Sequence, residues 1–130
     1  MREAGSDMRR KTNQRNAIQE VFQQKDQPMG VSEILQIGRQ SVQSLNQATV
    51  YRNLKLLVAK GWLRTISTPE SGMLYERAGK EHHHHFQCRL CDHLFELPGC
   101  ALNDEQPIPP GFVVERHEVF LFGICSSCRE

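Results

Sequence analysis

Glu81-His-His-His-His-Phe-Gln-Cys88-Arg-Leu-Cys91 places four imidazoles and two thiols within eleven residues. Thiolate and neutral imidazole are the donors that zinc and its borderline-soft neighbours prefer, and a Cys-x-x-Cys turn brings two sulfurs to one ion. A second such pair stands near the far end of the chain, Cys125-Ser-Ser-Cys128, with thirty-three residues between Cys91 and Cys125. Two knuckles predict a closed, tetrahedral four-thiolate zinc site of structural type. Two disulfides or unrelated core thiols are the competing reading, and the spacing favours it less. Five cysteines, four of them in knuckles, suit a reducing compartment with bound metal better than a secreted disulfide scaffold.

The histidines need a separate explanation if the four thiolates hold their own ion. In a β-strand successive side chains alternate between faces, so His83 and His85 are expected on one side and His82 and His84 on the other. Two imidazole pairs result, each a candidate metal-ligand pair. A solvated polar run or a tag remnant explains the stretch less well, because it is internal, holds four histidines and abuts a cysteine knuckle.

At 130 residues the chain has room for one ordinary domain or two small ones, and two small cores would each be marginal without the help of a metal. No apolar run reaches the roughly eighteen residues of a membrane span, and Met1-Arg-Glu-Ala-Gly-Ser-Asp-Met8 has no apolar signal core. No membrane partner is expected, and the cytoplasm is the expected location. The net charge of +1 conceals a division: residues 9–66 carry ten basic and three acidic side chains, whereas residues 67–130 carry five basic and ten acidic ones. All six histidines and all five cysteines lie in the second part. This asymmetry suggests a basic module that approaches a polyanion and an acidic, ligand-rich module that holds cations.

Read in order, the chain opens with a polar start. Ala17, Ile18, Val21 and Phe22 then give Thr12–Gln24 the three-four spacing of an amphipathic helix. Ser32, Glu33, Ile34, Leu35 and Ile37 read as a short helix capped at Ser32 and ending at Gly38. Asn46 caps a third helix, residues 47–60, whose Val50, Leu54, Leu57 and Val58 form one stripe and whose Gly61 supplies the stop. Ala48, Thr49, Tyr51, Arg52 and Lys55 lie off the centre of that stripe. Residues 62–67 and 73–77 are strand-like runs joined by Thr68-Pro-Glu-Ser-Gly72, a hairpin. Helix, short helix, recognition-type helix and hairpin make a winged helix-turn-helix, which reads duplex DNA through its third helix. A small α+β domain with a solvated basic face is the plainer alternative.

With both halves laid out, the chain resembles the ferric uptake regulator family of metal-responsive transcription factors. The matching residues are Thr12-x-x-Arg15, Ala48-Thr-Val-Tyr-Arg-Asn-Leu54, Tyr75-Glu76, His82-His-His-His85-x-x-Cys88-x-x-Cys91, Gly111-Phe-x-Val, His117 and Gly123-x-Cys125-x-x-Cys128. They run over nearly the whole chain in the family's order. The resemblance implies an α+β homodimeric repressor of metal homeostasis genes. A winged-helix DNA-binding domain would span residues 1–76, a hinge 77–81 and an α/β metal-binding dimerisation domain 82–130. It further implies a regulatory metal at the hinge that fixes the DNA-binding arms for an A·T-rich palindromic operator. Glu76, His83, His85 and Glu96 would hold that metal, which donor chemistry leaves open among Fe2+, Zn2+ and Mn2+. A second site would use His82, His84, His117 and a carboxylate from Asp104 or Glu105. Tyr51 and Arg52 would meet bases and phosphates, Lys11, Arg15 and Lys55 would meet phosphates, and Thr49 belongs to the same DNA-reading helix.

Three departures from the family pattern bear on the expectations. Gly30 stands where many relatives place a histidine ligand, and residues 9–76 contain neither His nor Cys. Gln106-Pro-Ile-Pro-Pro-Gly111 carries three prolines, so the helix of the second domain is expected to be shortened or lost. Dimer packing then falls to strands running from Phe112-Val-Val114 to Val119-Phe-Leu-Phe122, whose apolar character suits a buried sheet. Cys100 is the odd cysteine, with a buried small hydrophobe, a metal ligand and a redox sensor as its three readings. A peroxide-sensing repressor is the alternative within the class. A zinc-ribbon nucleic-acid or scaffold protein is another, while a zinc enzyme lacks the expected His-Glu-x-x-His type of arrangement with a positioned general base.

Overall fold

The computed structural model describes residues 2–100 and 108–129. Its elements in order are α1 (Arg2–Gln24), α2 (Val31–Gly38), α3 (Gln47–Ala59), β1 (Leu63–Thr68), β2 (Gly72–Arg77), β3 (His83–Cys88), β4 (Leu94–Pro98) and β5 (Phe120–Gly123). The chain divides into two compact units, Met1–Gly79 and Lys80–Glu130.

In the first unit the apolar stripes of the three helices meet. Ile18 and Phe22 of α1, Ile34 of α2 and Val50 and Leu54 of α3 are wholly buried in one cluster. Each such side chain stabilises the fold by about 1.5–3 kcal/mol relative to exposure. The start of α3 is fixed by Asn46, whose side-chain oxygen accepts the Thr49 N–H at 2.8 Å. Its end is fixed by glycine: Gly61 takes φ +79, donates to Val58 O at 3.0 Å, and lets Trp62 donate to Leu57 O at 2.9 Å. These paired bonds satisfy carbonyls that the last turn leaves open, and a side chain at Gly61 would be strained in that conformation.

The hairpin follows directly. β1 and β2 pair antiparallel from Leu63↔Arg77 to Thr68↔Gly72. The Thr68 hydroxyl accepts from Ser71 N at 2.9 Å and donates to Gly72 O at 2.8 Å, closing the turn. Met29 exchanges two 2.9 Å backbone bonds with Tyr75, which ties the α1–α2 connection to β2. Three helices and this hairpin give the winged-helix arrangement that the residue pattern predicts.

The second unit is a mixed three-stranded sheet in the order β4-β3-β5. β3 is antiparallel to β4 and parallel to β5. The histidine strand is therefore central, and both its neighbours supply side chains to its faces.

Four expectations change. α1 starts at Arg2, ten residues before the expected start at Thr12, in a stretch that contains the good helix formers Arg, Glu, Ala, Met and Lys. α2 is capped by Gly30 in extended conformation with no side-chain bond, not by Ser32, which lies inside the helix. Phe112–Val114 form no strand: Phe112 and Val113 are 69% and 84% exposed, because apolar residues make a strand only where a ladder partner exists. Within β5, Leu121 and Phe122 are half exposed rather than buried. Asp104, Glu105 and the first two residues of the proline-bearing stretch, Gln106 and Pro107, lie outside the described residues. Among the described residues the second unit contains strands and turns only.

Candidate functional site

The four knuckle cysteines converge. Cys88 ends β3, and its knuckle turns on an Asp92 N–H bond to Cys88 O at 3.0 Å with Asp92 at φ +61. The parallel pairing Cys88↔Gly123 delivers the second knuckle beside the first, and the Cys125 N–H donates to Cys88 Sγ at 3.4 Å. Cys91 and Cys125 sulfurs lie 3.9 Å apart, and all four sulfurs fall within 4.8 Å of one another. A tetrahedral ion with bonds near 2.3 Å sets its sulfurs about 3.8 Å apart, so the cluster fits zinc. The protonation pattern agrees. The Cys125 backbone N–H holds the Cys88 thiol down at about 6, whereas hydrogen bonding with the Cys125 side chain and then burial push Cys128 up to about 12. A first thiolate forms readily and a last one resists, so four thiolates together require a cation.

The alternation expected for β3 places the histidines on two faces. On one, His82 and His84 rings stand 4.5 Å apart, and His117 joins them with its Nε2 3.0 Å from that of His82. Cys100 completes the group, its sulfur 3.2 Å from both His84 Nε2 and His117 Nε2. His84 is buried and its pKa is lowered, first by burial and then by His82 and His117, which keeps the imidazole neutral and a competent donor. Its Nδ1 accepts the Val119 N–H at 3.2 Å, so in the neutral ring the proton sits on Nε2 facing Cys100. Strand alternation paired His82 with His84, and the family resemblance added His117. Cys100 was readable only as an odd thiol because its approach depends on the turn after β4.

On the other face His83 and His85 rings lie 5.0 Å apart. The register places Glu96 directly across from His85, and its carboxylate is 3.6 Å from His83 Nε2 and 2.8 Å from Lys80 Nζ. Two imidazoles and a carboxylate make a donor set for a divalent ion of intermediate hardness. In the first unit Glu76, on β2, is buried and accepts from Arg64 Nε at 3.2 Å. At Gly30 a Cβ would meet Leu74 Cδ2 at 3.3 Å, so a bulkier residue there would press on the hairpin.

The basic residues of the first unit also gather. Lys11, Gln14 and Arg15 of α1 and Arg52, Asn53 and Leu56 of α3 line a cavity of about 220 Å³. Arg15 Nε is buried there without a hydrogen-bond partner among the described residues. Tyr51 is 55% exposed, and Lys55, one turn on, is exposed with it. Thr49 is buried, so its part is indirect: its hydroxyl accepts from Arg52 Nη2 at 3.2 Å.

A winged helix with an exposed basic face, followed by a sheet carrying a four-thiol cluster and two imidazole-rich donor sets, defines a class of winged-helix proteins equipped for metal. The chain belongs to the ferric uptake regulator family, whose model matches residues 6–122. The zinc uptake regulation protein of Mycobacterium tuberculosis is 30% identical over 123 residues, which cover 92% of this chain and 95% of that protein. The ferric uptake regulation protein of Campylobacter jejuni is 34% identical over 85 residues, 63% of this chain. The chain spans about half, 54%, of the length of that relative. Among solved structures, the Helicobacter pylori ferric uptake regulator is 25% identical with a TM-score of 0.67, covering 90% of this chain and 80% of that one. The M. tuberculosis zinc uptake regulator FurB is 31% identical with a TM-score of 0.51, covering 92% and 95%. No helix among the described residues is long and apolar enough to cross a membrane.

Proposed function

We propose that the protein is a homodimeric, metal-responsive transcriptional repressor that binds a palindromic, A·T-rich operator and controls metal homeostasis genes. The observation that carries this reading is the pairing of His83 and His85 on one face of β3 with Glu96 across the ladder. It sits in a chain whose α3 exposes Tyr51 and Arg52. Zn2+ in the Cys88, Cys91, Cys125 and Cys128 site is structural. A second divalent ion, Fe2+, Zn2+ or Mn2+, is regulatory and is held by His83, His85 and Glu96. Glu76, three residues before the end of the first unit, is assigned to the same ion on the family resemblance.

Tyr51 offers a flat ring to a thymine methyl, and Arg52 offers a bidentate fork to guanine or phosphate. Lys11, Arg15 and Lys55 contact phosphates, and the buried Arg15 Nε supports this because an anion would give it a partner. The exposed Phe112, Val113, Leu121 and Phe122 support a second copy as the partner of the sheet unit, since monomers seldom expose so much apolar surface together. The test is a titration of operator DNA with protein that keeps its structural zinc, repeated with each divalent ion. Metal-dependent binding that weakens steeply with salt supports the reading. Equal affinity for operator and random duplex with every ion would reject it.

A further inference from the structure

We propose that Cys100 is the fourth ligand of the His82, His84 and His117 cluster, and that its thiolate makes this a closed zinc-type site that discriminates against Fe2+ and Mn2+. The inference rests on the metal-responsive reading above and adds to its structural and regulatory ions a third site on the opposite face of β3. Cys100 is four residues past Glu96, at the close of the turn that follows β4. Its sulfur lies 3.2 Å from one nitrogen on β3 and 3.2 Å from another on the segment before β5. The four donor atoms fall within 4.8 Å of one another. Tetrahedral zinc with nitrogen bonds near 2.0 Å and a sulfur bond near 2.3 Å sets its donors about 3.3–3.6 Å apart, so a few tenths of an ångström of adjustment suffices.

Three nitrogens and one sulfur fill a tetrahedron and leave no position for water. A soft thiolate favours zinc, and also cobalt(II), over the harder oxygen-seeking manganese(II) and iron(II). A carboxylate in the same place would level that difference. Loading releases one proton, from the Cys100 thiol; the His84 ring stays neutral, its proton moving from Nε2 to Nδ1 and giving up the long 3.2 Å bond from Val119. A cavity of about 330 Å³ lined by His84, Leu97, Cys100, Val119 and Leu121 opens beside the group and offers an entry path.

Cobalt(II) tests this without DNA. Full-length protein with zinc retained in its four-cysteine site is titrated with cobalt, and the thiolate-to-cobalt charge-transfer band is recorded in the near ultraviolet. The band should rise to one thiolate per added ion, disappear in Cys100→Ser, and persist in His83→Ala. Zinc should quench it stoichiometrically, and manganese(II) should not. Cys100→Ser should weaken zinc binding at this site more than about 100-fold, since even outer-shell changes cost 10–100-fold. Should Cys100→Ser misfold by circular dichroism, His117→Ala must instead move the bands toward higher coordination. A band of unchanged intensity in Cys100→Ser, or no band in the wild type, overturns the proposal. Operator binding, measured on the same samples, reports on the repressor reading alone, so the two can fail separately.

Discussion

Arg52 donates from Nη2 to the hydroxyl of Thr49 at 3.2 Å, one turn back on α3. Thr49 is buried and also serves the Asn46 cap through its backbone N–H, so the guanidinium is aimed by a residue fixed at both ends. Thr49→Val keeps the volume and removes the acceptor. Operator affinity should fall by about five-fold, the equivalent of a hydrogen bond worth about 1 kcal/mol, with no loss of folding. Arg52→Ala should cost more and lower the salt slope by about one if the guanidinium meets a phosphate. Equal operator affinity for Thr49→Val and wild type, measured by fluorescence anisotropy, would remove the aiming role.

Removal of one knuckle thiol tests the structural zinc. The binding energy of such an ion is folding energy, about 10 kcal/mol or more in small zinc modules. Cys88→Ser should therefore unfold the sheet unit or abolish dimerisation, and chelation of the wild type should do the same. The helical unit has its own core and should keep its helical signal. A chelated wild type that remains a folded dimer by light scattering and circular dichroism would show that the four thiols hold no essential ion.

The helix cap gives a prediction confined to the first unit. Asn46→Ala removes the side-chain acceptor for Thr49 N–H and should destabilise that unit by about 1 kcal/mol, visible as a lower Tm. Gly61→Ala adds strain at φ +79, and the two positions are far enough apart in α3 for the losses to add. A combined loss well below the sum of the single ones would show that the two ends of α3 are energetically coupled.

What could be read from residue order alone follows from the range of each signal. The stripe Val50, Leu54 and Leu57, the cap Asn46 and the stop Gly61 are local, and α3 appears almost as the pattern dictates. The knuckles are local pairs, and their convergence follows from the need of one ion for four donors. Cys100 was ambiguous for the opposite reason. Its partners His84 and His117 are sixteen and seventeen residues away on either side, and only the turn after β4 decides whether the sulfur reaches them. Phe112–Val114 misled because alternation and hydrophobicity describe a strand's faces, not its edges. β3 already has β4 and β5 as neighbours, so a further strand would need an outer edge of the sheet.

Acid should act through His84. Its pKa is lowered by burial and by the neighbouring His82 and His117, while the unfolded chain takes its proton near 6.5. Below that pH the unfolded state gains a proton that the folded state refuses, so stability falls as pH drops below about 6.5 and is unaffected well above it. The comparison that isolates the residue is wild type against His84→Asn, both without added divalent ions beyond the structural zinc. The stability of the wild type relative to the variant should decline between pH 7 and pH 5.5 in urea titrations. Parallel curves over that range would assign any acid sensitivity to other groups.

His83 faces away from the His84 cluster, which allows the regulatory assignment to be separated from folding. Its neighbours in the sheet unit include His85 and Glu96. His83→Ala should therefore leave the zinc content, Tm and metal-free DNA affinity near wild type. The metal-induced increase in operator affinity should vanish, a loss of about 5–150-fold if the coupling is of ordinary size, 1–3 kcal/mol. Linkage makes the converse measurable: operator DNA should tighten regulatory-metal binding to the wild type by the same factor, and should not do so in the variant. If the variant keeps the full metal response while His82→Ala loses it, regulation belongs to the Cys100 face of β3 and the roles of the two faces are exchanged.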